Sequence, residues 1–127
     1  MNRVLSIALF FFINYGVFSQ AEEQCETEIS SSVKKLFEKG KNYKKYDYKH
    51  RVKYLKETLE IEEDCLPCIW ELAKMSFRRR YSNGDPMDFP KKYFLMLESK
   101  CPSYHADVYY YLSMIYYMEK NDCEACL

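Results

Sequence analysis

The residues most clearly suited to chemistry are six cysteines, two of which form the stretch Cys65-Leu-Pro-Cys68. A second Cys-x-x-Cys pair begins at Cys123. This spacing occurs in thiol–disulfide redox catalysts, in zinc sites and at the starts of disulfide-bonded helices. The full set is Cys25, Cys65, Cys68, Cys101, Cys123 and Cys126. Because the three chemistries need different surroundings, the elements around each pair decide between them.

A redox role for Cys65 has one physical argument in its favour. The amide dipoles at a helix N-terminus stabilise a thiolate and lower the pKa of the first cysteine of such a pair. The redox motif, however, normally lies near a βαβ unit, and no pattern that predicts a strand precedes Cys65. Pro67 is instead typical of the first turn of a helix, because its missing N–H would have no partner there.

A zinc site needs four ligands in a tetrahedral arrangement. The two Cys-x-x-Cys pairs could supply four thiolates, but 54 residues separate Cys68 from Cys123, whereas about 15–20 is usual. We therefore predict no metal and no cofactor, and favour structural disulfides for the six cysteines. Six cysteines allow 15 pairings, and the sequence does not choose among them.

The N-terminal segment differs in composition from the rest of the chain. Arg3 precedes an apolar run from Val4 to Ile13, and the small residue Ser19 follows. This is the arrangement of a secretory signal peptide, and the run is short for a membrane anchor, which needs about 20 residues. We predict a signal peptide at 1–19 and a mature domain at 20–127 of an exported protein, where oxidising conditions allow disulfides to persist.

The charge balance argues against a general polyanion binder. Arg3 is the only charged residue in 1–19, so the remainder has 18 cations and 19 anions and a net charge of −1. Nucleic-acid-binding domains are basic, so we predict no nucleic-acid partner. The stretch Lys39–Arg51 mixes cations with aromatic residues and could bind an anionic polymer. The acidic stretch Glu57–Asp64 balances it, which favours a solvated face.

Catalytic groups are not evident in the sequence. His50 and His105 are single histidines without a nearby nucleophile or ligand, and no Ser/His/Asp set or phosphate-binding loop stands out. A catalytic constellation needs a nucleophile or an acid–base pair with groups that orient it. We therefore predict that the protein is not an enzyme.

Apolar residues recur at helical spacing from about residue 27 onward, and no alternating run predicts a strand. The pattern predicts five helices, at about 27–39, 47–61, 65–79, 89–99 and 104–119. Their predicted apolar faces are Val33, Leu36 and Phe37; Val52, Leu55 and Leu59; Ile69, Leu72, Ala73 and Ser76; Phe89, Tyr93, Met96 and Leu97; and Val108, Leu112 and Ile115. Gly40 is predicted to end the first helix and Asp88 to cap the fourth. Asn121-Asp122 is predicted to form a turn before a sixth helix that opens at Cys123.

Two segments share an order of residue types, in which an aromatic residue is followed by leucine and a small residue. Their matched leucines, Leu72 and Leu112, lie forty residues apart. The key positions are Trp70, Leu72 and Ala73 in the first segment, and Tyr109, Leu112, Ser113, Tyr116 and Ala125 in the second. On these residues, region 30–127 resembles the tetratricopeptide repeat (TPR), a two-helix unit of 34 residues that stacks on its neighbours.

The resemblance implies an all-α fold of antiparallel helix pairs stacked as a short TPR-like α-solenoid. It implies one repeat domain over 20–127, incomplete at its C-terminal end, with a concave groove lined by the first helix of each pair. By position in the repeat, the groove residues are Trp70, Lys74, Phe77, Arg78, Tyr110, Met114 and Tyr117. Tyr109 and Tyr116 are expected to pack between helices.

Tyrosine and tryptophan bury large areas with few rotatable bonds and keep a polar group, which suits binding surfaces. The resemblance thus implies a non-enzymatic exported scaffold that binds a protein or peptide in the groove. Similar exported repeats precede further domains in envelope proteins of Gram-negative bacteria. This implies a periplasmic or outer-membrane location, association with envelope assembly and further domains C-terminal to this chain. The alternative is a thiol–disulfide oxidoreductase or a zinc-stabilised module that uses Cys65 and Cys68.

Overall fold

A computed structural model describes the backbone of residues 25–125 and the side chains of residues 25–121. Its helices are α1 (Ser31–Lys41), α2 (Tyr48–Ile61), α3 (Leu66–Asn83), α4 (Asp88–Lys100) and α5 (Asp107–Ala125). The described range contains no strand. The prediction of an all-α fold is therefore confirmed, while the predicted signal peptide at 1–19 lies outside the described residues.

The helix starts have local causes. The Asp47 carboxylate accepts a hydrogen bond from the His50 amide at 2.9 Å, which satisfies a donor that the first turn of α2 leaves without a helical partner. Pro67 and Pro90 both lie in first turns, where proline removes no helical hydrogen bond. Asp88 is the first residue of α4 and makes no capping bond, so the prediction that it caps this helix is wrong. Because α4 begins one residue earlier than predicted, its N-cap is Met87.

Two helices, α3 and α5, end at least four residues later than the sequence predicts. α3 continues to Asn83 and stops at Gly84, whose φ of 68° lies in the left-handed region that glycine adopts readily. α5 passes through Asn121 and Asp122 to Ala125, so the predicted turn and the separate sixth helix are wrong. Asn and Asp each cost a helix only about 0.7 kcal/mol relative to alanine. Without glycine or proline beside them, the helix continues.

Contacts between helix ends show that chain neighbours run antiparallel. The Ser30 hydroxyl, before α1, donates a hydrogen bond to the carboxylate of Glu62, after α2. Lys91 in the first turn of α4 lies 3.0 Å from the carboxylate of Glu119 near the end of α5. α3 and α4 pack against each other across the short turn at 84–87. Each helix therefore returns along the one before it.

One apolar core runs through all five helices, and α3 contributes more of its fully buried side chains than any other helix. The predicted apolar positions are confirmed as buried for Val33, Phe37, Leu55, Ile69, Leu72, Ala73, Tyr93, Leu97, Val108, Leu112 and Ile115. The others, Leu36, Val52, Leu59, Phe89 and Met96, are only half-buried, so the prediction is wrong for their full burial. Ser76 is also fully buried, and its hydroxyl donates to the Ala73 carbonyl at 3.0 Å. The buried Ser76 hydroxyl is thus hydrogen-bonded within α3 and needs no partner from another helix.

Gly40 has a different role from the helix stop predicted for it. It lies inside α1, which ends one residue later at Lys41, and its φ is not positive. A Cβ atom at this position would lie 2.5 Å from Cγ and 2.7 Å from Cδ2 of the fully buried Leu55. Gly40 is thus the residue that lets α1 and α2 approach closely.

Replacing Gly40 with alanine is expected to destabilise the protein. Alanine favours a helix by about 1 kcal/mol over glycine, but overpacking against Leu55 costs about 1–3 kcal/mol. Urea unfolding should therefore show a lower unfolding free energy, whereas Glu38→Ala, an exposed change on the same helix, should leave it within about 0.5 kcal/mol. In a Leu55→Ala background the cost of Gly40→Ala should disappear. An unchanged cost there would contradict the steric explanation.

Candidate functional site

Trp70 and Phe77, both predicted to line the groove, lie in the core beneath α5. The ring centroid of Tyr111 on α5 lies 6.0 Å from that of Trp70 and 4.9 Å from that of Phe77. The Phe94 ring of α4 stacks on Tyr111 at 4.9 Å. These four rings join α3, α4 and α5, and Tyr111 connects α5 to α3. The expectation of an open groove over Trp70 and Phe77 is corrected, because Tyr111 covers both residues.

The rest of the Trp70 ring is also covered. The imidazole of His105 stacks on it at 4.5 Å, so this histidine is part of the aromatic cluster. The Lys74 ammonium lies 5.0 Å from the indole centroid and 3.0 Å from the Glu71 carboxylate. A cation over a tryptophan face is attracted by the quadrupole of the ring. Lys74 therefore has two intramolecular partners, although its side chain remains 22% exposed.

Four tyrosines form a continuous exposed surface on the outward side of α5. Tyr109, Tyr110, Tyr116 and Tyr117 are 49%, 60%, 48% and 68% exposed, and we call this set the tyrosine surface. Residues seven apart lie nearly above one another on a helix, which aligns Tyr109 with Tyr116 and Tyr110 with Tyr117. The expectation that Tyr109 and Tyr116 pack between helices is wrong, because no helix in the described part of the chain covers this side of α5.

Two members of the tyrosine surface are held in place by polar contacts. The Tyr109 hydroxyl donates a hydrogen bond to the Pro102 carbonyl at 2.9 Å. The Lys91 ammonium lies 4.8 Å from the centroid of the Tyr116 ring while it also pairs with Glu119. Side chains that are ordered before binding lose less entropy when a partner arrives. This pre-ordering favours a binding role over a solvated face without function.

A second concave surface lies between α2 and α3. It is an open cleft of about 350 Å³, which we call the cationic cleft, lined by Tyr48, Arg51, Glu71, Lys74, Met75, Arg78, Arg79 and Ser82. Lys74 and Arg78, two of the predicted groove residues, therefore face the α2 side of α3. Tyr110, Met114 and Tyr117 belong to α5, where Met114 is half-buried. The structure thus divides the predicted groove between the cationic cleft, the buried aromatic cluster and α5.

Burial shifts the pKa values of two side chains in the cationic cleft, Tyr48 and Arg51. Burial raises the pKa of the Tyr48 phenol, and the nearby Arg80 and Arg79 oppose that shift. Burial lowers the pKa of the Arg51 guanidinium, and Glu71 opposes it. An arginine side chain starts from a pKa above about 12 and stays charged at neutral pH. The cleft therefore offers a neutral phenol beside guanidinium groups.

The cysteines pair as Cys25–Cys101, with Cα atoms 6.0 Å apart, and Cys65–Cys68, with Cα atoms 5.3 Å apart. The first bond joins the segment before α1 to the residue after α4. The prediction of disulfides is confirmed for these four cysteines. The side chain of Cys123 and the whole of Cys126 lie outside the description, so their pairing stays a prediction.

The Cys65–Cys68 pair occupies a helix start but lacks the access that exchange requires. Cys65 is the N-cap residue of α3, and the two residues are only 2% and 0% exposed. Reactive cysteines of redox proteins are partly exposed, because an incoming sulfur must reach the attacking thiolate. The observed environment therefore favours a structural disulfide.

Three findings bear on other kinds of site. Among the side chains of residues 25–121, no group of three or more His, Cys, Asp and Glu residues is placed to hold a metal ion. In the described residues, no helix is both long enough and apolar enough to span a bilayer. No protein-family model, curated protein or solved structure matches the chain. The site is therefore interpreted from its own residues.

Sequence reasoning missed Tyr111 and the association of Arg51 with Arg79. A signal for Tyr111 was present, because it lies four residues before Ile115 and seven before Met118, at helical spacing. That spacing places Tyr111 on the same apolar side of α5 as Ile115 and Met118. No comparable signal linked Arg51 to Arg79, since they are 28 residues apart on different helices and only tertiary packing brings them to one cleft.

Proposed function

We propose that the protein is a non-enzymatic interaction module that binds a protein or peptide partner through the tyrosine surface of α5. The observation that carries the proposal is the exposure of four tyrosines on one side of a single helix. Tyrosine is enriched where proteins bind one another, because it buries a large area with few rotatable bonds. Ser113 and Lys120 are exposed beside them on α5, and the carboxylates of Asp107 and Glu119 lie three residues from Tyr110 and Tyr116, respectively.

The chemistry of this surface indicates which partner it fits. Aromatic rings recognise apolar side chains, and the phenol hydroxyls of Tyr110, Tyr116 and Tyr117 can each donate a hydrogen bond to a carbonyl or carboxylate of the partner. Because Tyr109 and Tyr116 lie above one another, as do Tyr110 and Tyr117, the surface forms two parallel rows. We propose that it binds a helical or extended segment with apolar side chains flanked by hydrogen-bond acceptors.

We also propose that the helices stack as a short TPR-like α-solenoid. Two features support this. Chain neighbours run antiparallel, and α3 lies beside α5 through the contacts of Tyr111 with Trp70 and Phe77. In such a stack, equivalent helices of successive pairs are neighbours. α5 is then the first helix of a pair, and its tyrosine surface lies where further helices or a partner would pack.

Export is part of the same proposal. The signal-like pattern at 1–19 supports it, and so do the disulfides, which persist in oxidising compartments. A periplasmic or outer-membrane location and an association with envelope assembly follow only from the sequence resemblance. The mass of the chain isolated from its native cells tests export directly. A species that begins near Gln20 is expected, and an intact Met1 species would contradict cleavage.

Photo-crosslinking in native cells can capture and identify the partner of the tyrosine surface. A photoreactive amino acid at position 113, in the middle of that surface, is expected to capture a specific protein. The same group at Tyr43, which is exposed and remote from α5, is the control and should not capture that protein. The captured protein is then purified for direct titration against the unmodified chain.

Replacing Tyr110 and Tyr117 together with alanine is expected to weaken binding of that purified partner at least about a hundredfold. Central aromatic residues of interfaces contribute about 2 kcal/mol or more each, and each 1.4 kcal/mol is about tenfold in Kd. The matched control is Tyr43→Ala with Ile61→Ala, which removes two exposed apolar side chains elsewhere. Full affinity in a Tyr110/Tyr117 variant with unchanged helicity would contradict the proposal. Trp70→Ala is unsuitable here, because that side chain is buried.

A further inference from the structure

The cationic cleft lies between the first turn of α2 and the C-terminal half of α3. Four cations line it, Arg51, Lys74, Arg78 and Arg79, against the single carboxylate of Glu71. Tyr48 and Met75 supply apolar wall. The volume of the open cleft, about 350 Å³, has room for a few side chains of a ligand.

Two of the four cations are paired with oxygen atoms of the same chain. The Arg51 Nε donates a hydrogen bond to the Gly40 carbonyl at 2.8 Å, which orients its guanidinium between α1 and α3. Lys74 lies 3.0 Å from Glu71. Among the described side chains, neither Arg78 nor Arg79 forms an ion pair, and Arg79 lies 5.7 Å from the centroid of the Tyr48 ring. Two exposed guanidinium groups therefore retain hydrogen-bond donors for a ligand.

The order of charges along α2 is unfavourable for the helix itself. Lys49 and Arg51 lie in its first turn beside the N-cap carboxylate of Asp47, whereas Glu57 and Glu60 lie toward its end. A helix dipole favours anions at the N-terminus and cations at the C-terminus. The dipole of α2 therefore does not account for the cations at this end. Arg51 also donates a hydrogen bond to the Gly40 carbonyl near the C-terminal end of α1, and its charge at the cleft is available to an anion as well.

We infer that the cationic cleft binds an acidic peptide segment through the carboxylates of its Asp or Glu side chains. Arginine guanidinium groups recognise carboxylates by paired hydrogen bonds. The Arg78 and Arg79 side chains make these bonds, and Arg51 adds positive charge from the opposite wall. The inference rests on the proposed function in that the segment belongs to a protein partner, and it adds a second contact remote from α5.

An acidic peptide fits the cleft better than a uniformly charged polymer. Glu71 contributes negative charge inside the cleft, and the stretch 57–64 of the same chain carries five carboxylates and no cation. Both features repel a long polyanion. Tyr48 and Met75 provide contacts for the apolar side chains that a peptide carries between its carboxylates. The cleft thus selects spaced charges on an amphipathic chain.

The test is fluorescence anisotropy with a fluorescein-labelled peptide of alternating glutamate and alanine. The unmodified protein is expected to bind it, and a peptide with glutamine for glutamate is expected not to bind. Arg78→Gln with Arg79→Gln should weaken binding at least about tenfold, because charge-assisted hydrogen bonds are lost. The matched control, Lys34→Gln with Lys44→Gln, removes the same charge from exposed positions outside the cleft and should change affinity less than about threefold.

Three results would overturn the inference: no binding of the glutamate peptide, equal weakening in both double variants, or stronger binding of a heparin oligosaccharide of equal charge. A readout in the unmodified protein does not depend on how the variants fold. Peptide addition should shift the Nε–H resonances of Arg51, Arg78 and Arg79, and unmoved resonances would also overturn it. The Tyr110→Ala/Tyr117→Ala variant should bind the peptide normally. If it loses the peptide, the cleft assignment fails while the proposed role of the tyrosine surface stands.

Discussion

Replacing Phe94 with alanine is expected to lower the free energy of unfolding by about 3–5 kcal/mol. The Phe94 side chain is fully buried at the point where three helices meet. Its ring centroid lies 6.1 Å from that of Trp70, 6.4 Å from that of Phe77 and 4.9 Å from that of Tyr111. Removing the ring forfeits these contacts and leaves a cavity that the rigid helices fill only in part.

The expected loss is large compared with the total stability of a small domain, which is about 5–15 kcal/mol. Equilibrium unfolding in urea, followed by circular dichroism, measures it. Leu95→Ala is the control on the same helix, since Leu95 is 38% exposed, and it should cost less than about 1 kcal/mol. Phe94→Leu should lower the free energy of unfolding by an amount between the losses for Phe94→Ala and Leu95→Ala. A loss below about 1 kcal/mol for Phe94→Ala would contradict the packing of α5 on α3 and α4.

Hydrogen exchange adds a local readout of the same variant. Because Tyr111 stacks on Phe94, removal of Phe94 should raise amide exchange in α5 more than in α1. α1 and α2 pack on each other and contact neither Phe94 nor Tyr111 through an aromatic pair in the described residues. If amide exchange accelerates equally in α1 and α5, the whole domain opens as one unit and α5 does not loosen separately.

The helical fold was predictable because its causes are local. Leu72 and Leu112 recur with apolar neighbours at helical spacing, and such spacing appears in the sequence directly. Pro67 marks the start of α3 because proline fits only the first turn of a helix. Helix ends were harder to predict from the sequence. α5, for example, continues through Asn121, where a turn was predicted. The helix propensities of Asn and Asp are too close to those of other residues to decide a boundary.

The candidate site was predictable only in part. Helical spacing shows which residues share a side of their own helix, but not which neighbour covers that side. Trp70 and Tyr110 occupy equivalent positions in their segments, yet Tyr111 and His105 cover Trp70 while Tyr110 stays exposed. The cationic cleft depends on the packing of α2 against α3, which no local pattern in the sequence specifies.

Removing the Cys25–Cys101 disulfide is expected to cost about 4 kcal/mol. The bonded residues are 76 positions apart. The chain-entropy relation for a loop of that length gives about 4.5 kcal/mol at 25 °C, with native disulfides in small domains typically contributing about 2–5 kcal/mol. The same relation gives only about 2 kcal/mol for Cys65–Cys68, whose residues are 3 positions apart. The long-range bond should therefore dominate the response to reduction.

A comparison of two proteins with and without reductant isolates that contribution. Urea unfolding is measured for the unmodified chain and for Cys25→Ala with Cys101→Ala, each before and after addition of dithiothreitol. Reduction lowers the unfolding free energy of each protein, and we compare these two losses. Reduction of Cys65–Cys68, and any change at Cys123 or Cys126, occurs in both proteins and cancels in the difference between the losses. The difference is expected to be about 4 kcal/mol. A difference below about 1 kcal/mol would mean that Cys25 and Cys101 are not bonded in the folded protein. The segment before α1 would then depend on side-chain packing alone.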